Sequence, residues 1–307
     1  MMDNEMLESI LANNCALPDG ASLEGLTVEL EENLGSVDES LRENSLSILW
    51  EWVEQGFYTT GMLSALGNRM VGQMKTGLGE PEGDAVFCRA FSALILAAVI
   101  SADARQARSE TGGFLGDETV SAWLDESLRF YDKEKDGRGY VQGKGWAHAL
   151  AHGADLLLCL GMHPSVKDKR QERILDGLGQ KAASMAGSIF LFNEDERMAR
   201  AAMGTLLRED ISLSAFEHWI TGILQRVNAT PRAEAHQTPE AHHARYNARL
   251  FLRSLYFQLL FGARIYRDGT EHKLHPEARD AFLEALEIAL KDLDEGVFYQ
   301  TAGKEPQ

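Results

Sequence analysis

Two histidines and an aspartate, His148, His152 and Asp155, lie four and three residues apart in the segment GWAHALAHGAD. On an α-helix, at about 100° per residue, they share a stripe about 60° wide, and Cys159 continues it. Three kinds of chemistry suit such a stripe. Imidazoles at i and i+4 can both reach one divalent metal ion, with Asp155 adding an oxygen ligand. An aspartate beside an imidazole can orient it for general acid–base work near neutral pH. Alternatively, every group is satisfied by the protein itself, and the stripe is a buried polar network that serves packing alone. No glutamate follows the first histidine in the zinc-protease manner, because that position is Ala149.

The stripe is entered from a glycine-rich segment, Gly137–Gly145, which carries Arg138, Tyr140 and Lys144. Glycines allow tight turns and close backbone approach, so this segment can cradle an anion at the start of the histidine helix. It reads equally as a plain connecting loop with its charges in water. Lys144 is followed by Gly145 and Trp146, not by the Ser or Thr of a phosphate loop. Trp146 is either a packing anchor or a surface on which a ligand stacks. A second polar cluster, Asn193–Arg197, reads as an N-cap followed by three first-turn acids. From there Arg197 can reach a carboxylate such as Asp155. The candidate catalytic and metal residues are thus His148, His152 and Asp155, with Arg138, Tyr140, Lys144, Trp146 and Arg197 as candidate ligand contacts. His236, His242 and His243 read as solvated, and His272 and His275 as turn residues ahead of Pro276.

Apolar spacings of three and four recur throughout the 307 residues, and strand-like alternation is hard to find. Helices are expected at about 38–55, 61–76, 84–102, 117–133, 145–161, 165–191, 194–209, 212–228, 242–267 and 276–298, with a frayed tail from Thr301. In the first of these, Val37, Leu41, Leu46, Leu49, Trp50 and Val53 form the expected apolar band, with Asp38 as cap and Gly56 as terminator. Successive amphipathic helices without strands imply an all-α protein of stacked antiparallel hairpins. An α-solenoid of the HEAT or armadillo kind, or an α-α superhelix, would satisfy that description. No fixed-period repeat is present. Residues 1–307 are expected to form a single domain, with a possible subdivision at the proline-containing segment near 228–241.

With 44% hydrophobic and 25% charged residues, the chain can bury a substantial core. Its formal net charge of −17 repels phosphate backbones and anionic lipid, which disfavours nucleic acid and membrane surfaces as partners. Cys15, Cys88 and Cys159 form no CxxC pair and read as free thiols in a reducing, cytoplasmic compartment. The acidic start MMDNEMLES lacks the features of a secretion signal. The apolar run Ala90–Ile100 is shorter than the ~20 residues of a membrane span and is expected to be a core helix.

Four segments, at 84–96, 134–157, 194–199 and 249–257, give the chain a family likeness. They read DAVFCRAFSALIL, EKDGRGYVQGKGWAHALAHGADLL, EDERMA and RLFLRSLYF. Together they resemble the bacterial family known as domain of unknown function 2785. The resemblance implies an all-helical protein with no assigned activity, and it carries over no catalytic residue. The function expected from the architecture is binding or scaffolding of a protein or small-molecule partner. The competing expectation is an acid–base or metal-assisted enzyme, for instance a hydrolase, on His148, His152 and Asp155.

Overall fold

The helix-forming pattern is realised throughout the computed structural model, which is 69% helical. It describes residues 3–109, 112–184, 188–208, 211–231, 234, 237–263, 265, 274–294 and 297–299. Twelve helices are found among the described residues. In chain order they are α1 (Asn4–Ala12), α2 (Leu23–Asn33), α3 (Glu39–Glu54), α4 (Thr60–Gln73), α5 (Ala85–Ala107) and α6 (Asp117–Lys133). After a short hairpin come α7 (Ala149–Gly161), α8 (Lys169–Ser184), α9 (Glu194–Leu206), α10 (Leu213–Asn228), α11 (Pro239–Phe261) and α12 (Pro276–Asp294). They pack as stacked antiparallel hairpins, so the protein is all-α. His236, His272 and the tail from Thr301 lie outside the described residues, as does part of the helix expected over 165–191.

The chain forms two compact units, Met1–Val166 and Lys167–Gln307. In the first, α5 is apolar on every face and takes the middle, contacting α3, α4 and α7, while α6 lies against α7. At 23 residues α5 extends beyond the expected apolar run, and its length and composition would suit a membrane span. Yet 72% of its most apolar window is buried inside the unit, which marks it as a core helix. Two charges tie its ends. Arg89 makes a bidentate pair with Glu134, both side chains fully buried, and also donates to the carbonyls of Thr76 and Gly77. Asp103 accepts from the backbone N–H of Phe114 and Leu115, and faces His163 Nε2 at 2.8 Å. Because His163 Nδ1 accepts from the Ser165 N–H, Nε2 carries the proton and donates to Asp103.

α3 shows how a buried face can be misread from sequence. Asp38 caps it through its side chain and Gly56 follows it at φ +75, as expected. The face turned inward, however, is Arg42, Ser45, Ile48, Leu49, Trp52 and Val53, and Val37 is exposed. The helices α1 and α2 that pack on it fall ahead of residue 38, where the sequence pattern predicts no helix.

In the second unit, α8 packs on α10, and α9 on α11. Trp219 donates to the Leu175 carbonyl at 2.7 Å. It fits because Gly179 has no Cβ, which would lie 2.6 Å from the indole nitrogen. Buried Asn247 on α11 clamps the chain ahead of α9, donating to Ser188 O and accepting from Phe190 N. Asn193 precedes α9 as expected, but in a left-handed conformation (φ 64) and without a side-chain cap. Instead the Glu194 carboxylate accepts from the Phe192 N–H, and Asp195 accepts from Ser254 on α11. The 228–241 segment lies within this second unit.

Candidate functional site

Glycine chemistry decides the local structure ahead of α7. Gly143 and Gly145 adopt φ +76 and +79, conformations that cost a glycine nothing, and they turn the chain back on itself. The result is a small antiparallel hairpin, β1 (Tyr140–Val141) and β2 (Gly145–Trp146), with Tyr140 opposite Trp146. The sequence predicts a loop here and a helix from Gly145. The helix begins at Ala149 instead, and His148 sits before it in a left-handed conformation (φ 51, ψ 31). For a residue with a Cβ that conformation costs about 1 kcal/mol or more. His148 therefore does not share the helical phase of His152 and Asp155.

The two histidines are brought together all the same. Their ring centroids are 5.8 Å apart. The Trp146 indole stacks on the His148 ring at 4.4 Å and 13°, and Tyr140 meets Trp146 edge-on at 5.1 Å. On the inner side His152 is buried, meets the edge of Phe91 at 5.3 Å, and donates from Nδ1 to the Ala90 carbonyl (3.2 Å). A continuous file of rings thus runs from the core of the first unit to its surface, where Tyr140 and Trp146 are 43% and 37% exposed.

Arg42 underpins this file. It is fully buried, and its guanidinium lies over the Phe87 and Phe91 rings at 4.1 and 4.9 Å. It donates to the carbonyls of Ser36, Lys144 and Trp146, so a helix 100 residues upstream grips β2 by its backbone. Glu39, on the same helix, packs against Gly145, where a Cβ would come within 2.3 Å of its carboxyl carbon. Burial pushes the Glu43 carboxyl up from its ordinary value; neighbouring Arg42 opposes that and Glu39 adds to it.

The charges of the glycine segment are compensated within the protein. The Arg138 guanidinium forks onto buried Asp136 and also donates to the Gly83 carbonyl. Lys144 Nζ pairs with Asp84 at 2.6 Å. Asp155 and Cys159 follow His152 on α7, half-buried, and Ser101 donates to the Cys159 sulfur at 3.2 Å. Arg197 belongs to α9 of the second unit. Among the described residues, no three His, Cys, Asp or Glu side chains converge to hold a metal ion.

Sequence alone assigns no site role to Arg42, Glu43 and Phe91, and to Glu39 only that of a first-turn acid. One signal was available: Arg42 shares the i, i+3, i+7 face of Ser45 and Leu49, so it is an arginine in core phase. Also unforeseen is a cavity of ≈ 60 Å³ in the second unit, lined by Glu172, Asp176, His218 and Trp219 among others. Burial, and then the Glu172 charge, raise the Asp176 carboxyl from its ordinary value. Asp176 and His218 nevertheless face solvent, and the cavity has room for water but not for a substrate.

Fold and site together define an all-helical protein that displays a braced aromatic hairpin. The family model described as "Protein of unknown function (DUF2785)" matches residues 74–257, more than half of the chain, and the chain belongs to that family. No curated protein and no solved structure matches the chain.

Proposed function

We propose that this is a soluble, cytoplasmic binding protein that takes a small molecule or a segment of a protein partner on the aromatic face of its hairpin. One observation carries the reading. Trp146 is held half-exposed by a strained histidine stacked beneath it and by a fully buried arginine gripping its strand, and Tyr140 packs edge-on against it from the paired strand. Exposed aromatic side chains fixed in advance lose little entropy on binding, and local strain concentrates at functional sites. The stacked helical hairpins suit a HEAT- or armadillo-like α-solenoid, although fold alone is a weak warrant for function. The net charge of −17 favours a partner other than nucleic acid or anionic membrane.

The test is a thermal-shift screen of metabolites and peptides against the wild type and the Trp146→Ala and Tyr140→Ala variants. Compounds that stabilise the wild type should lose their shift in both variants, whose unliganded folds persist because these rings are exposed. Equal shifts in all three proteins would overturn the reading.

A second reading, acid–base chemistry on His148, His152 and Asp155, is favoured by the closeness of the two imidazoles. Its test is metal content and hydrolytic turnover of the wild type against a His148→Ala/His152→Ala variant. Stoichiometric metal or turnover lost without unfolding supports an enzyme. A large fall in Tm with neither signal marks the histidines as packing.

A further inference from the structure

The second unit holds two arginines without a carboxylate partner among the described residues; Arg42 in the first unit also lacks one, but its terminal nitrogens are met by three backbone carbonyls. Arg249 and Arg253 lie one helical turn apart on α11, half-buried beside its core face. The guanidinium groups of buried Arg89, half-buried Arg138 and exposed Arg69 each fork onto a carboxylate, of Glu134, Asp136 and Glu31 respectively. Arg249 and Arg253 have no carboxylate partner among the described residues, in a chain with 47 acidic and 30 basic residues. Their Nε groups are buried and make no hydrogen bond.

Aromatic rings occupy the place of carboxylates. Arg249 lies over Tyr246 at 5.5 Å and Phe298 at 5.9 Å, and Arg253 over Tyr299 at 5.5 Å. The Tyr299 hydroxyl accepts from Arg253 Nη2, so its own proton is directed away from that guanidinium and can be donated to another acceptor. Two like charges at i and i+4 repel, and buried N–H groups without acceptors cost free energy. A single acceptor carrying negative charge on two or more oxygens would relieve both. Planar guanidinium forks match the oxygens of a phosphate or a carboxylate, and the rings beside them can cover the apolar part of a small molecule bearing one.

We propose that Arg249, Arg253 and the Tyr299 hydroxyl form an oxyanion site that takes the phosphate or carboxylate group of a small molecule. It is independent of the hairpin in the first unit.

Isothermal titration of the full chain at low salt tests this with two probes, inorganic phosphate and citrate. The probe that binds identifies the kind of oxyanion. Arg249→Gln and Arg253→Gln should each weaken it about tenfold or more, as expected for loss of a charge-assisted hydrogen bond. Arg253→Lys keeps the charge but loses the fork, so it should fold and still bind more weakly than the wild type. Arg105→Gln, which removes an exposed arginine paired with Glu54 in the first unit, should leave binding unchanged. Binding of neither probe would overturn the site. So would affinity unaltered in Arg253→Lys and both glutamine variants, or a loss equally large in Arg105→Gln.

Discussion

The guanidinium of Arg42 donates from Nη2 to the carbonyl oxygen of Lys144 at 2.7 Å, across 102 positions of sequence. A second bond from the same nitrogen reaches the Trp146 carbonyl at 3.3 Å. The hairpin therefore owes its placement to α3. Arg42→Ala should destabilise the first unit by about 2–4 kcal/mol, since it strands buried carbonyls and opens space beside Phe87 and Phe91. Hydrogen exchange would localise the effect. The amides of Lys144 and Ala147, bonded to Val141 and Gly139, should exchange much faster in the variant, whereas those in mid-α5 should change only with global stability. Unchanged protection at Lys144 and Ala147 would mean that the hairpin holds itself.

Arg89 and Glu134 form an ion pair with both side chains fully buried. Removing one partner leaves an uncompensated buried charge, so Arg89→Met and Glu134→Leu should each cost about 3–5 kcal/mol. A double Arg89→Met/Glu134→Leu variant should recover much of that loss. Urea denaturation of the four members of the cycle measures the coupling. A double variant whose loss equals the sum of the single losses would show the pair to be uncoupled.

Glu43 supplies a pH dependence with a definite sign. Burial raises its folded pKa above the ordinary value of 4.5, so the native state holds this proton more tightly than the unfolded chain. The stability this contributes is fully present below pH 4.5 and is lost as pH rises through the raised folded value. Glu43→Gln should therefore raise Tm at pH 7 and make little difference at pH 4. A variant less stable than the wild type at pH 7 would show that the ionised carboxylate is held by favourable contacts, contrary to this sign.

Much of this architecture follows from local pattern. The 3.6-residue periodicity, the Asp38 cap and the terminating Gly56 locate α3 to within a residue or so at either end, and 117–133 coincides with α6. The family likeness carried by 134–157 and 249–257 rests on the same linear information, and the matched region includes both segments. The histidine site was legible only in composition. Its aromatic and ionisable residues are adjacent in sequence, but a uniform helical phase misplaces His148, because Gly143 and Gly145 reverse the chain first. Asn193 failed as a side-chain cap for a similar reason, its left-handed backbone leaving Glu194 to accept the Phe192 N–H.

What the sequence determined by itself is the all-helical class and the location of most helices, since periodicity, capping and glycine breaks act within a few residues. Tertiary structure decided which polar groups act together. Arg42 reaches Lys144, Asp103 reaches His163, and Arg253 reaches Tyr299, pairs separated by 46 to 102 positions. Burial forces such partners on each other, because a charge or an N–H removed from water must find an acceptor wherever packing provides one. No local pattern specifies where that will be.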